Sequence, residues 1–226
     1  MGAPELPEPF LAHGEHFAID LPGAGALFTT RRGGVSSGPY ESLNLGRLTD
    51  DEPDAVERNR TGLEDAVGRP LSFVRQVHGV ELRTVTGADV PGSRGSETKE
   101  LRYADGQVTT EPGHALAALT ADCLPVAVAG HGGVAMIHAG WRGLAGPCCY
   151  ETGAEVHNAF SGYSAEIHRG SNLDLPGIAR EGLGRAGVEQ VHDIGLCTIC
   201  SDPRLFFSHR RDHGVTGRQA GLAWLS

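Results

Sequence analysis

Residues 106–140 read GQVTTEPGHALAALTADCLPVAVAGHGGVAMIHAG, a segment in which apolar residues are grouped into short runs. It contains four short apolar runs, at 106–110, 114–122, 124–130 and 132–140, which are separated by glycine, proline or polar residues. Short, partly β-branched apolar runs with such boundaries are typical of buried strands, whereas helices need longer segments. We therefore predict four consecutive buried strands.

Two helical patterns flank these strands. Residues 50–68 place apolar side chains at helical spacing, with Pro53 in the first turn and Asp50 or Asp51 as a cap. Residues 171–187 predict a second helix, which ends near a glycine. A polar stretch rich in glycine and serine, 87–104, is typical of a mobile loop.

Further strands complete the predicted secondary structure. Residues 1–20 are interpreted as a terminal arm that leads into a strand, and residues 25–46 as a strand followed by a loop. Three more strands are predicted at 71–79, 80–86 and 188–196. Because strands and helices are mixed and neither repeat nor linker is visible, the chain predicts an α/β fold in one domain, 1–226.

The bulk composition is that of an ordinary globular protein. The chain has 226 residues, of which 39% are hydrophobic and 21% charged, enough for a substantial core. Its net charge of −9 disfavours binding to the phosphate backbone of nucleic acids. No apolar run approaches the roughly 18 residues that a membrane span needs, and the acidic, proline-rich N-terminus is unlike a secretion signal. We predict a cytoplasmic protein that binds neither nucleic acid nor membrane.

Three metal-binding side chains stand at the ends of apolar runs: His78, Cys123 and His138. Imidazole and thiolate ligands suit zinc and, less often, copper. The scattered positions differ from the close pairs of a zinc finger, and three protein ligands leave a fourth position for water, as in catalytic zinc sites. Each residue taken alone is more often structural, so spacing by itself leaves both interpretations open.

Two charged residues neighbour these candidate ligands. Asp122 precedes Cys123 and could move a proton or orient a ligand, and Arg142 follows His138 and could hold a phosphate through two hydrogen bonds. An Asp–Arg pair that merely fixes two loops is the structural alternative.

The remaining cysteines predict a structural role. The chain has five cysteines, an odd number, which disfavours a disulfide framework. Cys197 and Cys200 form a C-x-x-C pair, which with Cys148 and Cys149 could hold zinc. No thioredoxin-like context surrounds the pair, and adjacent cysteines chelate poorly, so we favour buried structural thiols. The nearby segment FFSHRRDHGVTGRQAG (206–221) could be a solvated basic loop or a loop that closes over an anionic or aromatic substrate.

Taken together, the motifs resemble the YfiH-like family, also called the multicopper polyphenol-oxidase or laccase-domain family and now regarded as purine nucleoside phosphorylases. The similarity spans nearly the whole chain, and TADCLPV with HAGWRG is its most specific part. The matching motifs are TTRRGGVSSGPYESLNLG, RQVHG, ADGQVTTEPGHALAALTADCLPV, IHAGWRGLAG, GPCCYETG, LCTIC, FFSHRRD and TGRQAGL.

The resemblance implies a fold, a metal and an activity. The fold is a layered sandwich of two mixed sheets between helices. The metal is zinc, held by His78, Cys123 and His138, with copper as the alternative. The activity is phosphorolysis of adenosine, inosine and methylthioadenosine, with adenosine deamination, so that a purine nucleoside and phosphate are the expected partners. We take Arg31, Asn44, Gln76 and Arg210, which lie in the matching motifs, as candidate substrate-binding residues, and Asp122, Cys123 and Arg142 as catalytic ones.

One departure from the family pattern lies at Ala145–Gly146. Relatives carry a helix and a strand between the HAGWRGLA and GPCCYE motifs, whereas here the two motifs join directly. Either the chain lacks this unit naturally or the sequence omits residues. Because a parallel crossover needs a dozen or more residues, the join puts the sheet order around 140–150 in doubt.

Three other functions stay open at this point. Cys123 could be the nucleophile of a hydrolase or of an amidase that edits a cell-wall precursor, with His78 or His138 as base. The zinc could be structural, in a non-catalytic binding protein. A copper oxidase would need a weak axial ligand, for which Met136, two residues before His138, is the candidate.

Overall fold

The computed structural model describes residues 4–90, 102–140 and 153–226. Within them lie twelve strands and three α-helices. The helices are α1 (Pro53–Val67), α2 (Ala154–Ala159) and α3 (Leu175–Arg185), and the strands are β1 (Leu11–His13), β2 (His16–Leu21), β3 (Ala24–Phe28), β4 (Leu71–Ser72), β5 (Leu82–Thr84), β6 (Gly106–Thr109), β7 (Ala115–Thr120), β8 (Leu124–Gly130), β9 (Gly133–Ala139), β10 (His168–Arg169), β11 (Asn172–Leu173) and β12 (Gln219–Leu225).

Two mixed sheets form the body of the molecule. The first has the order β1-β2-β3-β12-β7-β4, antiparallel except for the parallel pair β4–β7. The second has the order β5-β6-β9-β8, in which only β5–β6 is parallel. The short hairpin β10–β11 stands apart from both.

Alternation along β7 explains how the layers stack. Leu116 and Ala118 belong to a buried cluster shared with Val134 and Met136 of β9, so this face of the first sheet packs on the second sheet. Ala115 and Ala117 point the other way, into a cluster with Leu63 of α1 and Leu71 of β4. Helix, sheet and sheet are therefore successive layers, as period-two side-chain alternation in two packed sheets requires.

The small helices cover the end of the second sheet. Leu175 and Ile178 of α3 pack with Val156 of α2, and Leu124 and Ala139, from neighbouring ends of β8 and β9, lie against this cluster. The predicted α/β sandwich of two mixed sheets between helices is confirmed. None of the helices in the described part of the chain could cross a membrane.

The four strands predicted in residues 106–140 are all present, and so is the helix predicted at 50–68. The helix begins at Pro53 and ends before Gly68, whose φ of 69° is the left-handed conformation that glycine tolerates. The helix predicted at 171–187 is shorter, because Asp174 caps it by accepting a hydrogen bond from the Gly177 amide.

Three strand predictions differ from the structure. Residues 71–86 contribute only the short strands β4 and β5, because the chain between them turns around a buried carboxylate. Residues 188–196 form no strand. Residues 219–221, predicted as part of a loop, instead begin β12, the strand between β3 and β7 in the first sheet. Of the predicted loop at 87–104, residues 91–101 lie outside the described residues.

Candidate metal centre

The structure brings His78, Cys123 and His138 together. One potential ligand atom from each lies within 4.8 Å of the other two, and Cys123 Sγ stands 3.6 Å from His78 Nε2. His78 lies in the turn after β4, Cys123 in the tight connection between β7 and β8, and His138 on β9. His138 is buried, at 5% exposure, whereas His78 is open to solvent.

A buried carboxylate, Asp105, holds two of these residues in place. Its oxygens accept hydrogen bonds from the backbone amides of Val77, His78 and Gly79, at 2.7–3.2 Å. Its Oδ1 also lies 2.8 Å from His138 Nδ1. Because Nδ1 is engaged in this way, Nε2 is the nitrogen that His138 can offer to a metal. A carboxylate behind a metal-binding histidine fixes the orientation of the ring.

Burial and hydrogen bonding set the protonation of this pair. Burial lowers the pKa of His138 below its usual value, although the hydrogen bond to Asp105 opposes the change. Burial alone would raise the pKa of Asp105, but hydrogen bonds from Gly79, His138, Val77 and His78 lower it overall. The combination of a neutral imidazole with an ionised carboxylate is the one that metal binding requires.

Gly140 leaves room for the two rings. A Cβ atom at this position would come within 2.2 Å of His78 Cδ2 and 3.1 Å of His138 Cε1. Real Cβ atoms essentially never approach other heavy atoms to 2.2 Å. The edge-to-face contact of the rings, with centroids 4.8 Å apart, therefore depends on the absence of a side chain at residue 140.

The donor set and its spacing fit a metal ion. Tetrahedral zinc has bonds of about 2.3 Å to sulfur and about 2.0–2.1 Å to nitrogen, which places the two ligand atoms about 3.6 Å apart. The Cys123–His78 separation of 3.6 Å agrees with this value. Among the described residues, this trio is the group of histidine, cysteine and acidic side chains that could hold a metal. The residues are compatible with zinc, and their N,N,S chemistry also suits copper.

Asp122 ties the site to two loops. Its Oδ1 accepts a hydrogen bond from the Thr198 hydroxyl at 2.7 Å, and its Oδ2 accepts one from the Arg210 amide at 2.8 Å. The residue adopts a φ of 87°, and His78 a φ of 58°, which are uncommon for residues other than glycine. Such conformations concentrate at functional sites, where surrounding contacts hold them.

A pocket of about 630 Å³ opens beside the three candidate ligands. Besides the candidate ligands, its walls carry five arginines, one further histidine and a single carboxylate, that of Asp122. The arginines are Arg47, Arg60, Arg75, Arg210 and Arg218, and the further histidine is His209. A larger apolar cavity, of about 830 Å³, reaches Cys123 and Asp122 from the other side but touches neither His78 nor His138. We regard the smaller pocket as the candidate site, because it contains all three candidate ligands.

Two of the four candidate substrate-binding residues reach this pocket. Gln76 and Arg210 line it, and both Gln76 amide atoms also bond to the backbone of Leu119. Arg31 does not line it, because its guanidinium is occupied by the carbonyls of Glu41, Pro203 and Pro39 and stacks on Phe207.

Asn44 is also absent from the pocket wall. Its side chain is fully buried, and its Oδ1 accepts hydrogen bonds from the backbone amides of Gly46 and Arg218. Arg142, the remaining catalytic candidate, lies outside the described residues.

Sequence reasoning missed Asp105, Gly140 and Arg218. Each has a signal in the chain: Asp105 precedes the β6 run, Gly140 follows His138 in HAG, and Arg218 stands in TGRQAG. None of these sequence features shows which residues each one contacts. Asp105, for example, is 26–28 residues from the backbone amides that donate to it.

The C-x-x-C pair differs from the prediction in one respect. Cys197 is half-buried but Cys200 is exposed, so the second thiol is not a buried one. Cys148 and Cys149 lie outside the described residues.

The family model described as multi-copper polyphenol oxidoreductase laccase matches residues 25–146 and 144–226 of this chain. The chain belongs to this family. The similarity inferred from the motifs is thereby confirmed, and the three candidate ligands all lie within the first matched segment.

Proteins similar to this chain are named purine nucleoside phosphorylases rather than laccases. The purine nucleoside phosphorylase of Xylella fastidiosa strain 9a5c is 40% identical over 248 residues, which cover 90% of this chain and 93% of the relative. Purine nucleoside phosphorylase YfiH of Escherichia coli K12 is 36% identical over 240 residues, covering 90% and 94%. The crystal structure of YlmD from Geobacillus stearothermophilus matches with a TM-score of 0.87 at 31% identity, over 97% of this chain and 99% of that one.

These matches bear on the join at Ala145–Gly146. The two segments that fit the laccase-family model meet at residues 144–146. The alignment to the Xylella relative is 248 residues long, longer than the whole chain, yet covers only 90% of it. That relative therefore contains residues with no counterpart here.

Proposed function

We propose that this chain is a zinc-dependent enzyme of purine nucleosides, which cleaves adenosine, inosine and methylthioadenosine with phosphate. The products are the free base and the sugar 1-phosphate. The observation that carries the proposal is the His78–Cys123–His138 cluster at an arginine-rich pocket, in a chain whose relatives are named purine nucleoside phosphorylases.

In phosphorolysis a phosphate oxygen forms a bond to C1′ of the sugar while the bond from C1′ to the purine nitrogen breaks. The base leaves with the bonding electron pair and takes up a proton. Cationic side chains on the pocket wall would hold the phosphate, and Arg210 is positioned there by the hydrogen bond from its amide to Asp122. Asp122, beside Cys123 on the same wall, is our candidate for the proton transfer.

Zinc, when bound, lowers the pKa of a water molecule and supplies a nucleophile near neutral pH. His78, Cys123 and His138 would hold it, and Asp105 would orient two of them. We include adenosine deamination in the proposal on this basis. Water adds to the purine carbon that bears the amine, ammonia leaves, and Asp122 would carry the proton from the water to the leaving nitrogen.

The test is the conversion of inosine and phosphate to hypoxanthine and ribose 1-phosphate by zinc-loaded protein, with adenosine as a parallel substrate. We expect Cys123→Ala to lose both zinc and activity, because it removes the one anionic ligand. Cys197→Ala and Cys200→Ala are matched controls and should keep both. If fully zinc-loaded protein formed no hypoxanthine, the proposed phosphorolysis would be wrong. Zinc retained in Cys123→Ala but lost in Cys197→Ala would move the metal to the C-x-x-C pair.

One observation favours a second function, that of a cysteine hydrolase or amidase. The 3.6 Å separation of Cys123 Sγ and His78 Nε2 also suits a thiol hydrogen-bonded to a base. This function predicts that zinc-free protein is active and that an electrophile traps Cys123 covalently. Copper oxidation has less support, because Met136 is buried in the cluster between the sheets. Cytoplasmic location, and the lack of binding to nucleic acid, remain predictions from the sequence.

A further inference from the structure

Arg218 differs from the other arginines on the pocket wall. Two of those others are committed elsewhere: Arg47 forms a double hydrogen bond with Glu57, and Arg60 donates from Nε and Nη2 to the Leu45 carbonyl while lying 3.9 Å above the ring of Phe73. Their charges are engaged in holding α1 to the loop that precedes it. They contribute to the potential in the pocket but are not available to a ligand.

Arg218 is half-buried, and within the described ranges no carboxylate forms an ion pair with it. Its Nη1 donates to the carbonyls of Thr216 and Gly217, at 3.0 and 2.8 Å. These bonds fix the plane of the guanidinium without neutralising its charge. Burial lowers the pKa of Arg218, and the nearby Cys123 and Asp122 side chains oppose that change. Arg218 lines the same pocket as the three candidate metal ligands.

Neighbouring residues hold the Arg218 side chain in this position. The backbone amide of Arg218 donates to Asn44 Oδ1 at 2.9 Å, and the same oxygen accepts the Gly46 amide at 3.0 Å. A Cβ atom at Gly46 would lie 2.9 Å from Arg218 Cγ, so the arginine packs directly on the glycine backbone. Asn44 therefore contributes to the pocket indirectly, by holding both Gly46 and Arg218.

A half-buried cation without a paired carboxylate is costly unless an anion is supplied. Five arginines around one carboxylate, in a chain of net charge −9, concentrate positive potential in this pocket. We propose that Arg218, together with Arg210, whose backbone amide donates to Asp122, is the receptor for the phosphate dianion. The inference rests on the proposed function, since it identifies where that reaction's phosphate binds.

The experiment measures binding and turnover separately. Binding of inorganic phosphate to zinc-loaded protein is followed by calorimetry, with sulfate as a second oxyanion and adenosine monophosphate as a phosphate carried on a nucleoside. The variants are Arg218→Ala, Arg218→Lys and Gly46→Ala, and zinc content is determined for each. Arg204→Ala, which removes an exposed arginine paired with Asp202, is the matched control.

We expect Arg218→Ala to weaken phosphate binding tenfold or more, because it removes charge-assisted hydrogen bonds. Arg218→Lys should lose less, since it keeps a charge but not the planar fork. Gly46→Ala should weaken binding with Arg218 still present, since the added methyl group displaces its Cγ. Zinc content should remain that of the unmodified protein, and the KM for phosphate should rise while the KM for inosine changes little.

The outcomes separate this inference from the proposed function. If phosphate binding depended on Arg218 but the protein formed no hypoxanthine, Arg218 would still be the phosphate-binding residue and the proposed reaction would be wrong. If both Arg218 variants formed hypoxanthine with an unchanged KM for phosphate, the proposed reaction would be supported and the role of Arg218 in binding phosphate would be wrong. Equal loss of binding in Arg204→Ala would also overturn it, as would tight binding of adenosine monophosphate with none of inorganic phosphate.

Discussion

Asp105 shows how one side chain can position two candidate ligands of the same site. Its carboxylate accepts hydrogen bonds from three backbone amides of the His78 turn and also contacts the His138 ring. It therefore links two segments that are far apart in the sequence. The charge of the carboxylate compensates for the burial of these donors, since buried amides without an acceptor are costly.

We expect Asp105→Asn to weaken zinc binding by about 10- to 100-fold, the usual effect of losing a partner behind a metal ligand. An amide offers one oxygen where the carboxylate offers two, so at least one backbone amide loses its acceptor. Competition with a zinc chelator measures the affinity. Asp89→Asn, which removes a carboxylate that caps an exposed turn, is the matched control and should leave zinc affinity unchanged. Equal affinities in the two variants would contradict a positioning role for Asp105.

Gly140 is the second residue whose role is visible only in three dimensions. We expect Gly140→Ala to abolish zinc binding, because the methyl group would overlap the His78 ring and force it away from Cys123. Gly130→Ala, at the far end of β8 where nothing lies within 4 Å, is the control. Zinc content after dialysis measures the effect, and full zinc in Gly140→Ala would show that the turn carrying His78 can shift.

Within elements, the same change from glycine to alanine should have opposite effects in α1 and β12. Gly62 lies in the exposed interior of α1 with nothing within 4 Å, so Gly62→Ala should stabilise the fold by up to about 1 kcal/mol. Gly221 faces the second sheet, where a Cβ would lie 2.5 Å from Pro125 Cβ and 3.1 Å from Met136 Sδ, so Gly221→Ala should destabilise by about 1–3 kcal/mol. Urea unfolding midpoints measure both, and a stabilising Gly221→Ala would contradict the close packing of the sheets.

The elements also show what local sequence can and cannot predict. The strands of residues 106–140 and helix α1 were predictable, because periodicity, proline and glycine mark them locally. Strand β12 was not, since its residues QAGLAWL are mostly buried and show no polar alternation. The turn at residues 77–79 was mistaken for part of a strand, because the carboxylate that curls it lies more than 25 residues away.

The residues of the candidate site also differ in whether the sequence alone could predict them. His78, Cys123 and His138 were predictable as residue types at the ends of apolar runs. The pairing of β8 with β9 brings Cys123 near His138, whereas His78 is brought there through Asp105. Arg218 could not be predicted from the sequence, because its importance arises from burial without a paired carboxylate. That burial depends on the packing of β12 beside the loop at Gly46.

At the scale of the whole molecule, the apolar cavity of about 830 Å³ lies where the second sheet ends. Strand β8 pairs with β9 on one side, and within the described residues no strand pairs with its other edge. Six of its seven residues, from Leu124 to Ala129, are only half-buried although all are apolar. A half-covered apolar edge strand is a site of aggregation unless another element covers it.

We expect the residues that the Xylella relative has and this chain lacks to belong at Ala145–Gly146 and to cover this edge. Inserting them between Ala145 and Gly146 should raise the melting temperature, because each fully buried aliphatic side chain contributes about 1.5–3 kcal/mol and each kcal/mol is worth about 2–4 °C in a chain of this size. Binding of an apolar dye should fall at the same time.

A glycine–serine linker of equal length is the control for this insertion, since it lengthens the connection without supplying apolar side chains. Zinc affinity should be the same in all three proteins, because His78, Cys123 and His138 lie outside the join, and Asp105 holds the two histidines in place. If the linker stabilised the fold as much as the relative's residues did, length alone would be limiting, and the cavity would be a feature of this chain rather than the place of a lost element.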